Sequence, residues 1–183
     1  EESLAISQEI EDRRGIGTSL LRLGGVLWRE GDSTAARSLY EESLAICQAL
    51  GDQLGIAWEM ARLAIIDMRQ GRFEEAERLA REGSAMSHKV GDREAEAHGL
   101  LVLGEILEPL AKFVEARSLL EECLAIFNDL GRRGWATSAH AVLGSVSLHL
   151  GQYGQARAHA ETGLALARET NTRYRIGHTL LLL

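Results

Sequence analysis

The stretch EESLAISQEI, residues 1–10, returns almost unchanged as EESLAICQAL at residues 41–50. Sliding the sequence against itself by 40 residues carries the match to the end of the chain. REGSAMSHKV starts at residue 81, EECLAIFNDL at 121 and ETGLALARET at 161. Four columns hold throughout: Ala5, Ala45, Ala85, Ala125 and Ala165; Leu23, Leu63, Leu103 and Leu143; Ala36, Ala76, Ala116 and Ala156; and Gly24, Ala64, Gly104 and Gly144. A constant stride of this size marks an architecture in which each unit buries its apolar face only by stacking on the next.

The spacing within a period predicts two helices. The first runs roughly from residue 13 to 30 of each period, with Ile16, Leu20, Leu23 and Leu27 at helical intervals. It ends at Gly31, Gly71 or Gly151, since glycine enters the left-handed conformation that closes helices. Asp32 or Ser33 then caps a second helix through Ala36, Leu39, Tyr40, Leu44 and Ile46, which stops at Gly51, Gly91 or Gly131. Helices joined by two or three residues are antiparallel neighbours. The charges test this phase. Arg37 and Glu41, Arg117 and Glu121, and Arg157 and Glu161 stand four residues apart, and in the remaining unit the order reverses to Glu77 and Arg81. A mid-helix glycine costs about 1 kcal/mol relative to alanine, so the Gly24 column implies close approach of a neighbouring helix.

Composition bounds the function. The 183 residues are 45 % hydrophobic and 26 % charged, with a single proline, which describes a nearly all-α chain able to bury a core. A formal charge of −7 argues against binding nucleic acid through its phosphates. The apolar run Leu180–Leu183, like the five residues Cys123–Phe127, is far short of the roughly 20 a membrane helix needs, and no secretory leader opens the chain. We therefore expect a cytoplasmic protein without a membrane partner. Cys47 and Cys123 lie almost two periods apart and read as packed thiols in a reducing compartment.

Catalytic patterns are not found. GIGTSL at 15–20 departs from the dinucleotide-binding pattern at its last position, and no phosphate-binding loop or nucleophile elbow occurs. The six histidines, His88, His98, His140, His149, His159 and His178, include no pair four residues apart, so no helical metal site is expected and no cofactor is implied. His140 and His159 interrupt apolar columns on the two helices of one unit and can face each other as packing groups. Asp67 and Ser147 occupy the Leu27 column; Asp67 either faces solvent or pairs with a neighbour. The chain is not expected to be an enzyme.

As a set, Leu23-Gly24 in the first helix, Gly31-Asp32 in the turn, the aromatics Phe73, Phe113 and Tyr153 after it, and Ala36 and Tyr40 in the second helix resemble the tetratricopeptide repeat family. The period of 40 rather than 34, the missing proline after the second helix and Ala111 at a turn-glycine position depart from the family's pattern. HEAT and armadillo repeats share the length but do not predict the Leu-Gly and Ala columns. The long units look like those of kinesin light chains and the sensor tails of bacterial regulators. The resemblance implies an all-α solenoid of antiparallel helix hairpins in a right-handed superhelix. Residues 1–183 are expected to form one solenoid: a half repeat at 1–12, repeats at 13–52, 53–92, 93–132 and 133–172, and a half repeat at 173–183. Cut through helices at both ends and lacking polar caps there, the chain is expected to be a fragment of a longer protein, prone to end-to-end self-association.

The resemblance also implies that the first helices line a concave groove holding a peptide or partner helix. The groove columns change along the chain. Arg22, Arg29, Arg62 and Arg69 share the wall with Trp28, Trp58, Ile65 and Met68 in the first two units; His98, Leu101, Val102 and Glu105, then Val142, Leu148 and His149, follow in the last two. Guanidinium forks match carboxylates and aromatic or Met side chains give adaptable apolar contact. The expected partner is a protein or peptide, acidic toward the N-terminal units and apolar toward the C-terminal ones, bound by a scaffold within a larger regulator. The alternative is a sensor domain for a small molecule or peptide signal in a bacterial transcriptional regulator.

Overall fold

The computed structural model describes residues 2–169, and every described element is an α-helix. The half repeat at 173–183, with Leu180–Leu183 and His178, lies outside the described residues. The helices fall into two compact units that divide after Val90. The first contains α1 (Glu2–Glu9), α2 (Arg13–Glu30), α3 (Ser33–Leu50), α4 (Gln53–Arg69) and α5 (Phe73–Val90). The second contains α6 (Arg93–Leu107), α7 (Phe113–Asp129), α8 (Arg133–His149) and α9 (Tyr153–Glu169). Within each unit every helix packs on its successor, and in the second α6 also packs on α8. This is the all-α class of stacked antiparallel hairpins.

The turns follow from their residues. Gly31, Gly51, Gly71, Gly91, Gly131 and Gly151 all take positive φ, between 66° and 93°. Past Gly31, Gly51, Gly71, Gly131 and Gly151 the chain closes with the long backbone bond of a Schellman turn, as from Asp32 N–H to the Leu27 carbonyl at 3.0 Å and from Gln152 N–H to the Ser147 carbonyl at 2.8 Å. Ala111 keeps the same conformation without glycine, at φ 56°, and Glu11 does so at φ 54°. Asp32 caps α3 by accepting from the Ala35 N–H. Asp52 and Asp92 cap α4 and α6 in the same way, a device at the start of first helices that the periodicity did not single out. Pro109 has no N–H and disfavours helix at the residue before it, so α6 ends early, at Leu107.

The Ala36 and Leu23 columns supply the core, whereas the Ala5 column lies on the exposed face of the second helices. Ala36, Ala76, Ala116 and Ala156 are all but fully buried, as are Leu63, Leu103 and Leu143. The close approach expected at the Gly24 column comes from the second helix of the same hairpin. A Cβ on Gly24 would stand 2.7 Å from Cε1 of Tyr40, and one on Gly104 would stand 2.6 Å from Cδ2 of Leu120. Where that bulky residue shrinks to Ala80 the glycine is replaced by Ala64, whereas Gly144 is kept in the hairpin that has Ala160. All four intrahelical pairs form, Arg37–Glu41 and Arg157–Glu161 at 2.8 Å, Arg81–Glu77 at 2.7 Å and Arg117–Glu121 at 3.7 Å.

Two polar interruptions resolve into pairs. Asp67 is fully buried, and its Oδ1 accepts from Arg37 Nη1 at 2.5 Å and from Arg72 Nε at 2.7 Å. In the second unit His140 Nδ1 and His159 Nδ1 lie 3.0 Å apart, so one ring donates and the other accepts. Burial holds the His140 imidazole down, to a pKa of about 4, with the neighbouring His159 adding to the effect.

Candidate functional site

In the first unit the backbones of α2 and α4 do not approach closely, although both helices pack on α3. The space between them is a cavity of about 340 Å³. Arg14, Thr18 and Leu21 form the α2 wall; Ser43, Ile46, Cys47 and Leu50 of α3 form the floor; Asp52, Gly55, Trp58, Glu59 and Arg62 close the α4 side. The helical phase explains this set: 14, 18 and 21, and 55, 58, 59 and 62, are each one face of a helix. Gly17 and Gly55 keep the walls thin, for a Cβ on Gly17 would meet Ile46 at 3.3 Å and one on Gly55 would meet Cys47 Sγ at 2.7 Å.

The electrostatics centre on Glu59, only 2 % exposed. Burial pushes its carboxyl above the ordinary range, opposed by the Arg62 charge and the Ser43 hydroxyl. The Ser43 hydroxyl lies 3.0 Å from Glu59 Oε1 and 3.2 Å from the Gly17 carbonyl. Arg62 Nη1 stands 3.9 Å from Glu59 Oε2, and its guanidinium lies over the Trp58 ring at 5.5 Å from the centroid. Burial, then the negative charge of Asp52 and Glu59, also raises the Cys47 thiol, so it is a neutral, weakly reactive floor residue.

Of the residues picked from the sequence, Trp58 and Arg62 line this cavity. Trp28 and Arg69 meet beside it, the Arg69 guanidinium 4.8 Å from the Trp28 ring centroid. Arg22 and Arg29 are exposed on α2, and Ile65 and Met68 are half-buried on α4. The second unit differs. There α6 and α8 pack directly, and Leu101, Val102 and Val142, expected on a groove wall, are 2 %, 1 % and 7 % exposed. His98 is buried with its ring edge-on to Trp135 at 4.7 Å, while Glu105 is half-buried. At the far end of α8, His149 stacks on Phe113 at 4.6 Å and approaches Glu108, which also accepts from the Ser145 hydroxyl.

Sequence reasoning missed Arg14, Ser43 and Glu59, whereas Thr18 and Leu21 stand in the columns of Trp58 and Leu101 that it assigned to the groove. A signal for Glu59 existed, since its column otherwise holds the small residues Ser19, Gly99, Ala139 and Thr179. No group of three or more metal-ligating side chains occurs among the described residues.

The tetratricopeptide repeat pattern matches residues 15–87 and 53–129, and a second pattern of the same description matches 137–162. The chain belongs to the tetratricopeptide repeat family. No curated protein matches its sequence. Among solved structures it is similar to a Rap protein complexed with competence and sporulation factor, at TM-score 0.81 and 14 % identity over 93 % of this chain and 47 % of that one. It is also similar to a STAND protein with a tetratricopeptide repeat sensor from Pyrococcus horikoshii, at TM-score 0.77 and 17 % identity over 99 % and 27 %. A putative kinesin light chain from Podospora anserina gives TM-score 0.67 and 18 % identity over 90 % and 85 %. The chain spans 61 % of the apo RapI structure and less than half of the Rap complex, so it corresponds to part of those proteins. At these identities the likeness is one of fold.

Proposed function

We propose that this tetratricopeptide repeat chain is a non-catalytic binding module that holds a peptide segment of a partner protein along the inner face of its first unit, within a larger regulatory protein. The observation that carries this reading is the cavity between α2 and α4, where Trp58 and Arg62 stand over an apolar floor of Ile46 and Leu50. A deep anchor pocket beside a second arginine–tryptophan pair, Arg69 on Trp28, suits an extended segment that buries one side chain and lays its neighbours along α2 and α4. The Rap protein of similar fold, complexed with competence and sporulation factor, is consistent with a binding role. The exposed guanidiniums of Arg22, Arg29 and Arg69 favour acidic residues flanking the anchor.

An array of immobilised random dodecapeptides tests the proposal. A subset is expected to bind the protein, and Arg62→Glu and Arg22→Glu are each expected to weaken those peptides at least tenfold. Affinity unchanged by both reversals would overturn the groove as the site. A second reading, a receptor for a small-molecule signal, is favoured by the cavity volume, which reaches the lower end of the roughly 300–1,000 Å³ of ligand pockets. Compounds that raise the melting temperature of the wild type but not of Trp58→Ala, with no peptide bound on the array, would select it.

A further inference from the structure

The wall of the cavity contains two buried polar atoms whose hydrogen bonds are unmade: Glu59 Oε2 and Arg62 Nη1, facing each other at 3.9 Å. Unmade bonds at buried charged groups are costly, and both side chains line the cavity. Their chemical sense follows from Ser43. Its hydroxyl carries one proton and faces two acceptors, the Gly17 carbonyl and Glu59 Oε1. If the proton points to Glu59, Oε1 is an acceptor, and a proton on Oε2 would face the Arg62 Nη1 donor 3.9 Å away, so the carboxyl is ionised. If it points to Gly17, a proton on Oε1 completes the contact to Ser43. In either case Oε2 is left as an acceptor, and Arg62 Nη1 is always a donor.

The group that satisfies such a pair has a donor and an acceptor side by side. A carboxylate would set an oxygen against Oε2, and an ammonium would set a proton against Nη1; each leaves one repulsive contact. A primary carboxamide gives N–H to Oε2 and receives Nη1–H at its oxygen. We propose that the cavity takes the carboxamide of an asparagine or glutamine side chain of the bound peptide, its methylene stem lying on Leu21, Ile46 and Trp58. This rests on the peptide-binding reading above and names its anchor residue. Arg62, 28 % exposed and with its guanidinium over the Trp58 ring, is the member that turns to open the pair to the cavity.

Three probes identical but for the side-chain end decide the matter: N-acetyl-glutamine, N-acetyl-glutamate and N-acetyl-methionine N-methylamides, titrated to tens of millimolar while the Trp58 indole resonance is followed by NMR. The glutamine derivative is expected to bind near the millimolar range and at least about tenfold more tightly than the other two. Arg62→Met and Glu59→Leu are each expected to abolish that preference, and the comparison in the wild type stands even if one variant fails to fold. Equal or tighter binding of glutamate or methionine overturns the proposal, as does an indole that responds to none of the three. If dodecapeptides still bind and lose affinity on Arg62→Glu, the peptide-binding reading survives and only its carboxamide anchor falls.

Discussion

Ala111 and Glu11 occupy backbone positions that six glycines occupy elsewhere, at φ 56° and 54°. The left-handed region costs an L-residue about 1–2 kcal/mol, which glycine escapes at the expense of greater freedom in the unfolded chain. Ala111→Gly is therefore expected to stabilise the protein by about 0.5–1 kcal/mol, seen as a higher urea midpoint at unchanged slope. Gly24 runs the other way. A methyl group 2.7 Å from the Tyr40 ring forces one of them to move, so Gly24→Ala is expected to cost about 1–3 kcal/mol. Adding Tyr40→Ala reproduces the Ala64 and Ala80 pairing of the next hairpin, and the double variant should lose clearly less than the two single losses combined. The glycine columns were legible because positive φ in the turns and close approach in mid-helix both make glycine recur at fixed stride. What each glycine touches was not legible, since the partner lies sixteen residues away on another helix.

At the level of the helix, Asp67 at the end of α4 is held by two side chains from different places, Arg37 on α3 and Arg72 in the turn before α5. Asp67→Ala removes the shared acceptor and leaves a hole in the hairpin, with an expected loss of about 2–4 kcal/mol. Asp67→Leu restores the residue of Leu27 and Leu107. Because the arginine side chains are 28 % and 46 % exposed and can turn to water, it should recover most of that loss. Equal urea midpoints for the two variants would show that the ionic contact, not volume, is what α4 needs. Helix boundaries were readable from the glycines and caps, except at α6, where Pro109 sits two residues past the last helical position and shortens the element. The phase of the charged pairs was equally readable, being a property of one helix.

Across the molecule, the His140–His159 contact between α8 and α9 gives stability a pH-dependent contribution. Both imidazoles titrate below their ordinary value near 6.5 because burial disfavours the cation, His140 at about 4. Between those pH values the unfolded chain binds more protons than the folded one. Stability is therefore complete above about pH 6.5 and is lost as pH falls toward 4. With both rings partly exposed, a loss of about 1–2 kcal/mol is expected, and His140→Leu should flatten the unfolding free energy over that window.

The sequence by itself determined the stride, the two helices per stride and their turns, because these depend on local backbone conformation and on apolar columns that recur at fixed intervals. It also placed tryptophans and arginines on one face of the first helices. Only the tertiary structure decided which part of that face is open. α2 and α4 stand apart with Glu59 and Arg62 in the wall between them, whereas α6 and α8 close on each other and bury Leu101 and Val142. The separation of two helices depends on side-chain volumes from three elements at once, and no single column of the repeat contains that sum.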